Sequence, residues 1–179
     1  ISSDPTLAKQ TKKAEGLDPD WLVHRYAEMM RESIQHRPAD MVVAMHMCRG
    51  NFQSTWVAEG GYDPVADAVF NETGVDVFFM EYDSERAGGL DPLRLLAKGT
   101  QRVMLGFITT KSAELESVEA VCGKIDQAAN YVELGQLGIA PQCGFASTEE
   151  GNKLGYDDQR RKRELVVNVA QTVWGGVRA

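Results

Sequence analysis

Val42-Val43-Ala44-Met45-His46-Met47-Cys48-Arg49-Gly50-Asn51 decides the fold. Its opening, Met41 to Met45, is a short apolar, β-branched run that reads as a buried strand. It breaks at once into a histidine, a cysteine and a glycine. The pattern recurs along the chain. Val75-Asp76-Val77-Phe78-Phe79-Met80 closes on Glu81, and Leu137-Gly138-Ile139-Ala140 runs into Pro141-Gln142-Cys143-Gly144. Arg102 to Phe107 is a further strand of this kind. Helical segments fill the intervals. Residues 18–36 carry Trp21, Leu22, Tyr26, Met29, Met30 and Ile34 at helical spacing, and Tyr62 to Asn71 is rich in Ala and Val three to four residues apart. Asp91-Pro92 opens a short helix through Ala97, with Asp91 as N-cap and Pro92 at the first helical position. Ser117 caps a helix reaching Val132, and Tyr156 to Val173 is a final amphipathic helix.

Strands alternating with helices predict βαβ units and a parallel sheet. Strands apolar along their whole length predict cover on both faces. Neither GxGxxG nor GxxxxGK[ST] occurs, which disfavours a nucleotide-binding doubly wound sheet. Four βα units make half of an eight-stranded barrel, which needs about 250 residues. The expected fold class is therefore α/β, four units of a TIM barrel in one domain over residues 1–179. Chemistry in such barrels gathers at the C-terminal ends of the strands, where His46, Glu81 and Cys143 fall.

Composition narrows the partners. The 43% hydrophobic content can bury a sizeable core, and the net charge of −7 argues against a nucleic-acid surface. Arg160-Arg161-Lys162-Arg163 lies between acids and reads as a solvated helix face. No run approaches the roughly 20 apolar residues of a membrane span. No signal peptide is visible, and a chain opening on Ile1 rather than Met is expected to be processed or truncated. Three cysteines without a secretory signal point to a reducing cytoplasm.

Alternate side chains of an extended segment share a face, so His46 and Cys48 can reach one metal ion. With Glu81 and Cys143 they read as a zinc site of type His, Cys, Glu, Cys. Such a site suits activation of an external thiol, because metal coordination favours the thiolate. Spacing alone leaves a second reading open, in which the cysteines are small buried hydrophobes and His46 is a satisfied core histidine. Cys122, mid-helix, reads as core; His24 and His36 read as exposed, and Trp21, Trp56 and Trp174 as packing residues.

The stretches around these donors resemble a known family. His46-Met47-Cys48, Phe79-Met80-Glu81 with Ser84-Glu85-Arg86, and Gln142-Cys143-Gly144 are similar to the catalytic domain of cobalamin-independent methionine synthase. His46 to Asn51 and Pro141 to Ser147 resemble most closely its shorter methionine-synthase-like branch. The resemblance runs from about Met41 to the C-terminus. It implies the C-terminal half of the barrel, a zinc ion (Zn2+) on His46, Cys48, Glu81 and Cys143, and methyl transfer from methyltetrahydrofolate to homocysteine, giving methionine. The homocysteine and folate contacts would come in part from the other half of the barrel. Two sheet edges would be left unpaired, so a larger barrel or a second copy is the expected partner.

One departure concerns Thr109-Thr110-Lys111-Ser112, where Lys111 stands at the position of the family's proton-donating histidine. Lys111 is the candidate catalytic residue, as an acid or as partner to a substrate anion; a solvated loop lysine is the alternative. Arg49 and Asn51 are the candidate substrate-binding residues. Arg49 either clamps a carboxylate or pairs with Asp83 or Glu85. Two other functions stay open: alkyl transfer to another thiol such as coenzyme M, and a non-catalytic module held together by zinc.

Overall fold

The computed structural model describes residues 4–176. Within them α1 (Pro5–Glu15) and α2 (Pro19–Ile34) precede β1 (Ala44–Met47), α3 (Ala66–Glu72), β2 (Val77–Glu81), β3 (Arg102–Ile108), α4 (Val118–Ala128), β4 (Leu137–Pro141) and α5 (Tyr156–Trp174). The strands form one parallel sheet in the order β1-β2-β3-β4, with β1 and β4 at its edges. Each step in sequence is a step across the sheet, as in a barrel half. No helix among the described residues is long and apolar enough to cross a membrane.

Local chemistry sets most boundaries. The Asp4 carboxylate accepts the Thr6 and Leu7 N–H groups at 2.9 and 3.0 Å, and Gly16 closes α1 at φ 68. The sequence reading missed α1, because a polar run from Lys9 to Lys13 leaves it only a thin apolar stripe. Its signal is the Asp-Pro start that Asp18-Pro19 repeats at α2. Ser117 caps α4 as expected, accepting the Ala120 N–H at 3.1 Å. Asp91 does not cap. It is the first residue of a 3-10 helix, Asp91–Leu95, and its carboxylate accepts the Tyr131 hydroxyl at 3.1 Å instead.

β1 begins later than its apolar run. Met41 and Val42 stay exposed because the Val43 N–H is taken by the Asp76 carboxylate at 2.8 Å, and that carboxylate also holds Arg37. The ladder starts only at Ala44, opposite Val77, so His46 lies inside the strand and Cys48 just beyond it.

The expected cover on both faces is found on one. Phe70 of α3, Val121 and Ile125 of α4, and Leu165 and Val169 of α5 pack with Phe78, Met80, Val103, Leu105 and Ile139 of the sheet. The opposite face, carrying Ala44, His46, Val77, Phe79, Arg102 and Met104, has no helix on it among the described residues and stays exposed or half-buried. In a closed barrel that face is the interior. It is enclosed only at its C-terminal end, where Glu81, Gly106 and Ala140 are buried. Crowding there demands glycine: a Cβ on Gly106 would lie 2.7 Å from the Met80 carbonyl oxygen and 3.1 Å from the Gln142 Cα.

Candidate metal centre

His46 projects from the open face of β1, Cys48 follows the strand, and Cys143 lies two residues beyond β4. A ring nitrogen of His46 and the sulfurs of Cys48 and Cys143 all lie within 4.8 Å of one another. β1 and β4 are opposite edges of the sheet, which in a flat arrangement would stand about 14 Å apart. Curvature and the turns beyond the strand ends bring these donors together, and no single segment of sequence could.

The sulfurs are electrostatically unequal. Cys143 donates a hydrogen bond to Cys48, and together with His46 this pulls the Cys48 thiol down to about 3. The same bond, with burial, pushes the Cys143 thiol up. Two sulfurs and an imidazole form a soft set that suits a cation such as zinc. His46 and Cys48 are exposed, which leaves the centre open to an incoming molecule.

Glu81 stands beside this cluster rather than in it. Its side chain is fully buried; one carboxylate oxygen accepts the Arg49 backbone N–H at 3.0 Å and the other is held by the Arg86 guanidinium. Arg86 also meets Asp83 at 3.3 Å and lies under the Trp56 ring, 4.9 Å from its centroid. Burial, then the Glu81 charge, raises the Asp83 pKa against the opposing charges of Arg86 and Lys111.

Arg49 pairs with neither Asp83 nor Glu85 among the described residues. Its side chain turns inward, with Nε donating to the Gly60 carbonyl at 2.8 Å and the guanidinium to the Tyr62 hydroxyl at 2.9 Å and the Ala87 carbonyl at 3.3 Å. It is 4% exposed and braces the loop after β1. The Tyr62 hydroxyl also accepts the Glu81 N–H at 2.9 Å and donates to the Met47 carbonyl, tying the ends of β1 and β2. Burial raises its pKa to about 12.

Asn51 and Lys111 do reach the centre's surroundings. The Asn51 amide donates to the Gly144 carbonyl at 2.9 Å and the Ser147 hydroxyl at 2.8 Å, joining the loop after Cys48 to the loop after Cys143. Its Oδ1 is buried without a partner. The Lys111 ammonium is likewise buried and unpaired, close enough to Cys143 and Asp83 for its charge to oppose the rise in both pKa values. It is not a solvated loop lysine. Gln142 contributes a third orphan, Nε2, at the same rim. Sequence reasoning gave no role to Arg86, Tyr62 or Gln142, and named Asp83 only as an alternative partner of Arg49. Arg86 was within reach of it, since Ser84-Glu85-Arg86 follows the Glu81 strand in the family-like stretch.

The sequence profile described as cobalamin-independent synthase, catalytic domain, matches residues 7–170. The chain belongs to this family. Two Bacillus subtilis relatives, the uncharacterized proteins YxjG and YxjH, are 48% identical over 162 residues and 44% identical over 166 residues. Those matches cover 90% and 93% of this chain, but only 43% and 44% of the relatives, so the chain spans less than half of their length. Among solved structures, a Listeria monocytogenes protein provisionally classed as a vitamin-B12 independent methionine synthase superposes with TM-score 0.64 at 32% identity, covering 90% of this chain and 44% of that one. A B12-independent methionine synthase from Shewanella sp. W3-18-1, solved with selenomethionine, superposes with TM-score 0.62 at 15% identity, covering 90% of this chain and 57% of that one. The fold of this synthase family is thus the fold of the chain.

Proposed function

We propose that the chain carries the zinc-binding half of a methyltransferase barrel, which moves a methyl group from methyltetrahydrofolate or a related donor to the thiolate of homocysteine, giving methionine. The observation that carries this reading is the convergence of His46, Cys48 and Cys143 within 4.8 Å at the open rim. These three residues would hold the zinc ion, with Glu81 as fourth donor once its carboxylate leaves Arg86. Bound zinc lowers the proton affinity of a coordinated thiol and keeps it nucleophilic. In the transfer an S–CH3 bond forms on the thiolate as the donor's N–CH3 bond breaks, the nitrogen keeping that electron pair and taking up a proton, for which Lys111 is the candidate acid.

The chain's own residues frame that event. Lys111 supplies a positive charge beside Cys143, suited to an acceptor or donor bearing carboxylates. Arg86 pairs with the Glu81 carboxylate and keeps it beside the centre. Asn51 keeps the two cysteine loops together. The exposure of His46 and Cys48 supports an exchangeable centre over a closed structural one. The bare sheet face would be completed by the rest of the barrel or by a second copy. Free thiols suit the reducing cytoplasm.

The test is zinc content followed by X-ray absorption at the zinc edge. About one ion per chain is expected, and homocysteine should replace an oxygen or nitrogen neighbour with a sulfur. Coenzyme M, in a parallel sample, separates the alternative thiol. Absence of bound zinc, or a coordination sphere unmoved by either thiol, would remove the reading.

A further inference from the structure

The basic run Arg160-Arg161-Lys162-Arg163 is not a uniformly solvated face. Arg160, Arg161 and Arg163 are exposed, but Lys162 is fully buried. Its ammonium donates to the Glu114 carbonyl and pairs with one Glu116 carboxylate oxygen at 2.9 Å. The other Glu116 oxygen accepts the Thr109 N–H at 2.8 Å. From Thr109 the connections divide. Its hydroxyl accepts the Lys111 N–H at 3.2 Å and donates to Gln142 Oε1 at 3.2 Å. Gln142 immediately precedes Cys143, and its own N–H is held by the Ile108 carbonyl at 2.8 Å.

A buried ammonium is costly, and an apolar side chain of similar volume often packs as well or better. Stability therefore does not account for a lysine here. What the pair does is fix Thr109, the one residue bonded both to the Lys111 backbone and to the side chain beside Cys143. We propose that Lys162 and Glu116 are positioning residues, which through Thr109 set the loop carrying Lys111 beside the turn after β4 that carries Cys143. The role of that juxtaposition in methyl transfer rests on the function proposed above; the clasp itself does not. The loop has a second anchor, since Asn152 donates to the Thr110 carbonyl at 3.0 Å. Loss of the clasp should therefore shift the loop without unfolding it.

The experiment uses the full chain, with amide hydrogen exchange read residue by residue and cobalt(II) in place of zinc to report sulfur-to-metal charge transfer. Glu116→Ala should speed exchange at the Thr109 amide about 10- to 100-fold, the range for losing a hydrogen bond to a charged group. Exchange at residues 142–144 should rise with it, and the cobalt bands should move. The double variant Glu116→Gln/Lys162→Met keeps an acceptor for Thr109 without burying a lone charge, so it should restore parent exchange and parent bands. If Glu116→Ala frees only Thr109, leaving 142–144 and the cobalt bands at parent values, the clasp is a local brace and the proposal falls. The proposal also falls if the double variant is folded yet fails to rescue. Should Glu116→Ala not fold, Lys162→Met alone takes its place under the same criteria. A parent chain that binds no cobalt would count against the metal centre, while the exchange at 142–144 still decides the clasp.

Discussion

On the helical face of the sheet Phe78, Val103 and Leu105 are fully enclosed; one residue along each strand, Phe79, Arg102 and Met104 look the other way and remain partly open. Both faces carry large apolar side chains, so hydrophobicity alone does not separate them. Helices α3, α4 and α5 separate them, because all three pack on one side. The open face is closed by the chain's own loops only at the C-terminal rim, and there the enclosed groups include the polar Glu81, Asn51 and Gln142. One face holds the fold together, and the rim of the other gathers the reactive groups.

The sharpest way to break this comparison is to truncate neighbours that point in opposite directions. Phe78→Ala should cost about 3–5 kcal/mol, the usual range for deleting an enclosed aromatic ring. Phe79→Ala should cost about 1 kcal/mol or less, since its ring is half-solvated and leaves no closed cavity. Urea denaturation of both variants measures the difference. Equal losses would mean that the open face is covered in solution, by another copy or otherwise.

The rim is tested through its metal. Cys48→Ser and Cys143→Ser should each weaken zinc binding by more than the about 10- to 100-fold that loss of an outer partner costs. Cys122→Ser, on α4 and away from the cluster, should bind zinc like the parent. Zinc ligation needs the Cys143 sulfur deprotonated and its pKa is raised, so zinc binding should expel that proton, and affinity should climb about tenfold per pH unit where one proton is released. Calorimetry in two buffers of different ionisation enthalpy counts that proton, and a count of zero would contradict the raised Cys143 pKa. Lys111→Met should have a smaller effect. Zinc content should stay at the parent value, while affinity for an anionic thiol falls about tenfold, as expected for losing one charged partner. An unchanged affinity would return Lys111 to a structural role.

How much of this was legible beforehand follows from where the information sits. Strand and helix identities are local, and the helical spacing from Trp21 to Ile34, Ser117 and the apolar runs announced them. The start of β1 was not local: it depends on Asp76, 33 residues away, capturing the Val43 N–H. The cysteines and His46 were legible as a set because each follows the same strand-end grammar. The direction of Arg49 was not, because its acceptors at Gly60, Tyr62 and Ala87 are fixed only when three loops meet. Lys162 was misjudged for the same reason: its charged neighbours are exposed, and only the fold turns it inward. Apolar strands suggested cover on both faces, but residue type cannot tell a face covered by helices from one that lines a barrel interior.

The smallest expected effect lies at the edge of the helical side, where α2 meets α3. His24 Nδ1 contacts the Glu72 carboxylate at 2.9 Å, with side chains 58% and 34% exposed. The hydrogen bond to Glu72, then its charge, raises the His24 pKa above its ordinary 6.5. A group whose pKa is raised by folding stabilises the fold most when it is protonated in both states. The contribution is therefore complete below 6.5 and is lost as pH rises through the higher folded value. The pair is open to water, so the effect should be small and should shrink further in salt. Thermal melts of the parent and His24→Gln from about pH 5.5 to 8.5, the span around an ordinary histidine, should converge toward the alkaline end. A gap that stays flat or widens with pH would show that His24 acts through packing, and would extend the apolar character of the helical side to its margin.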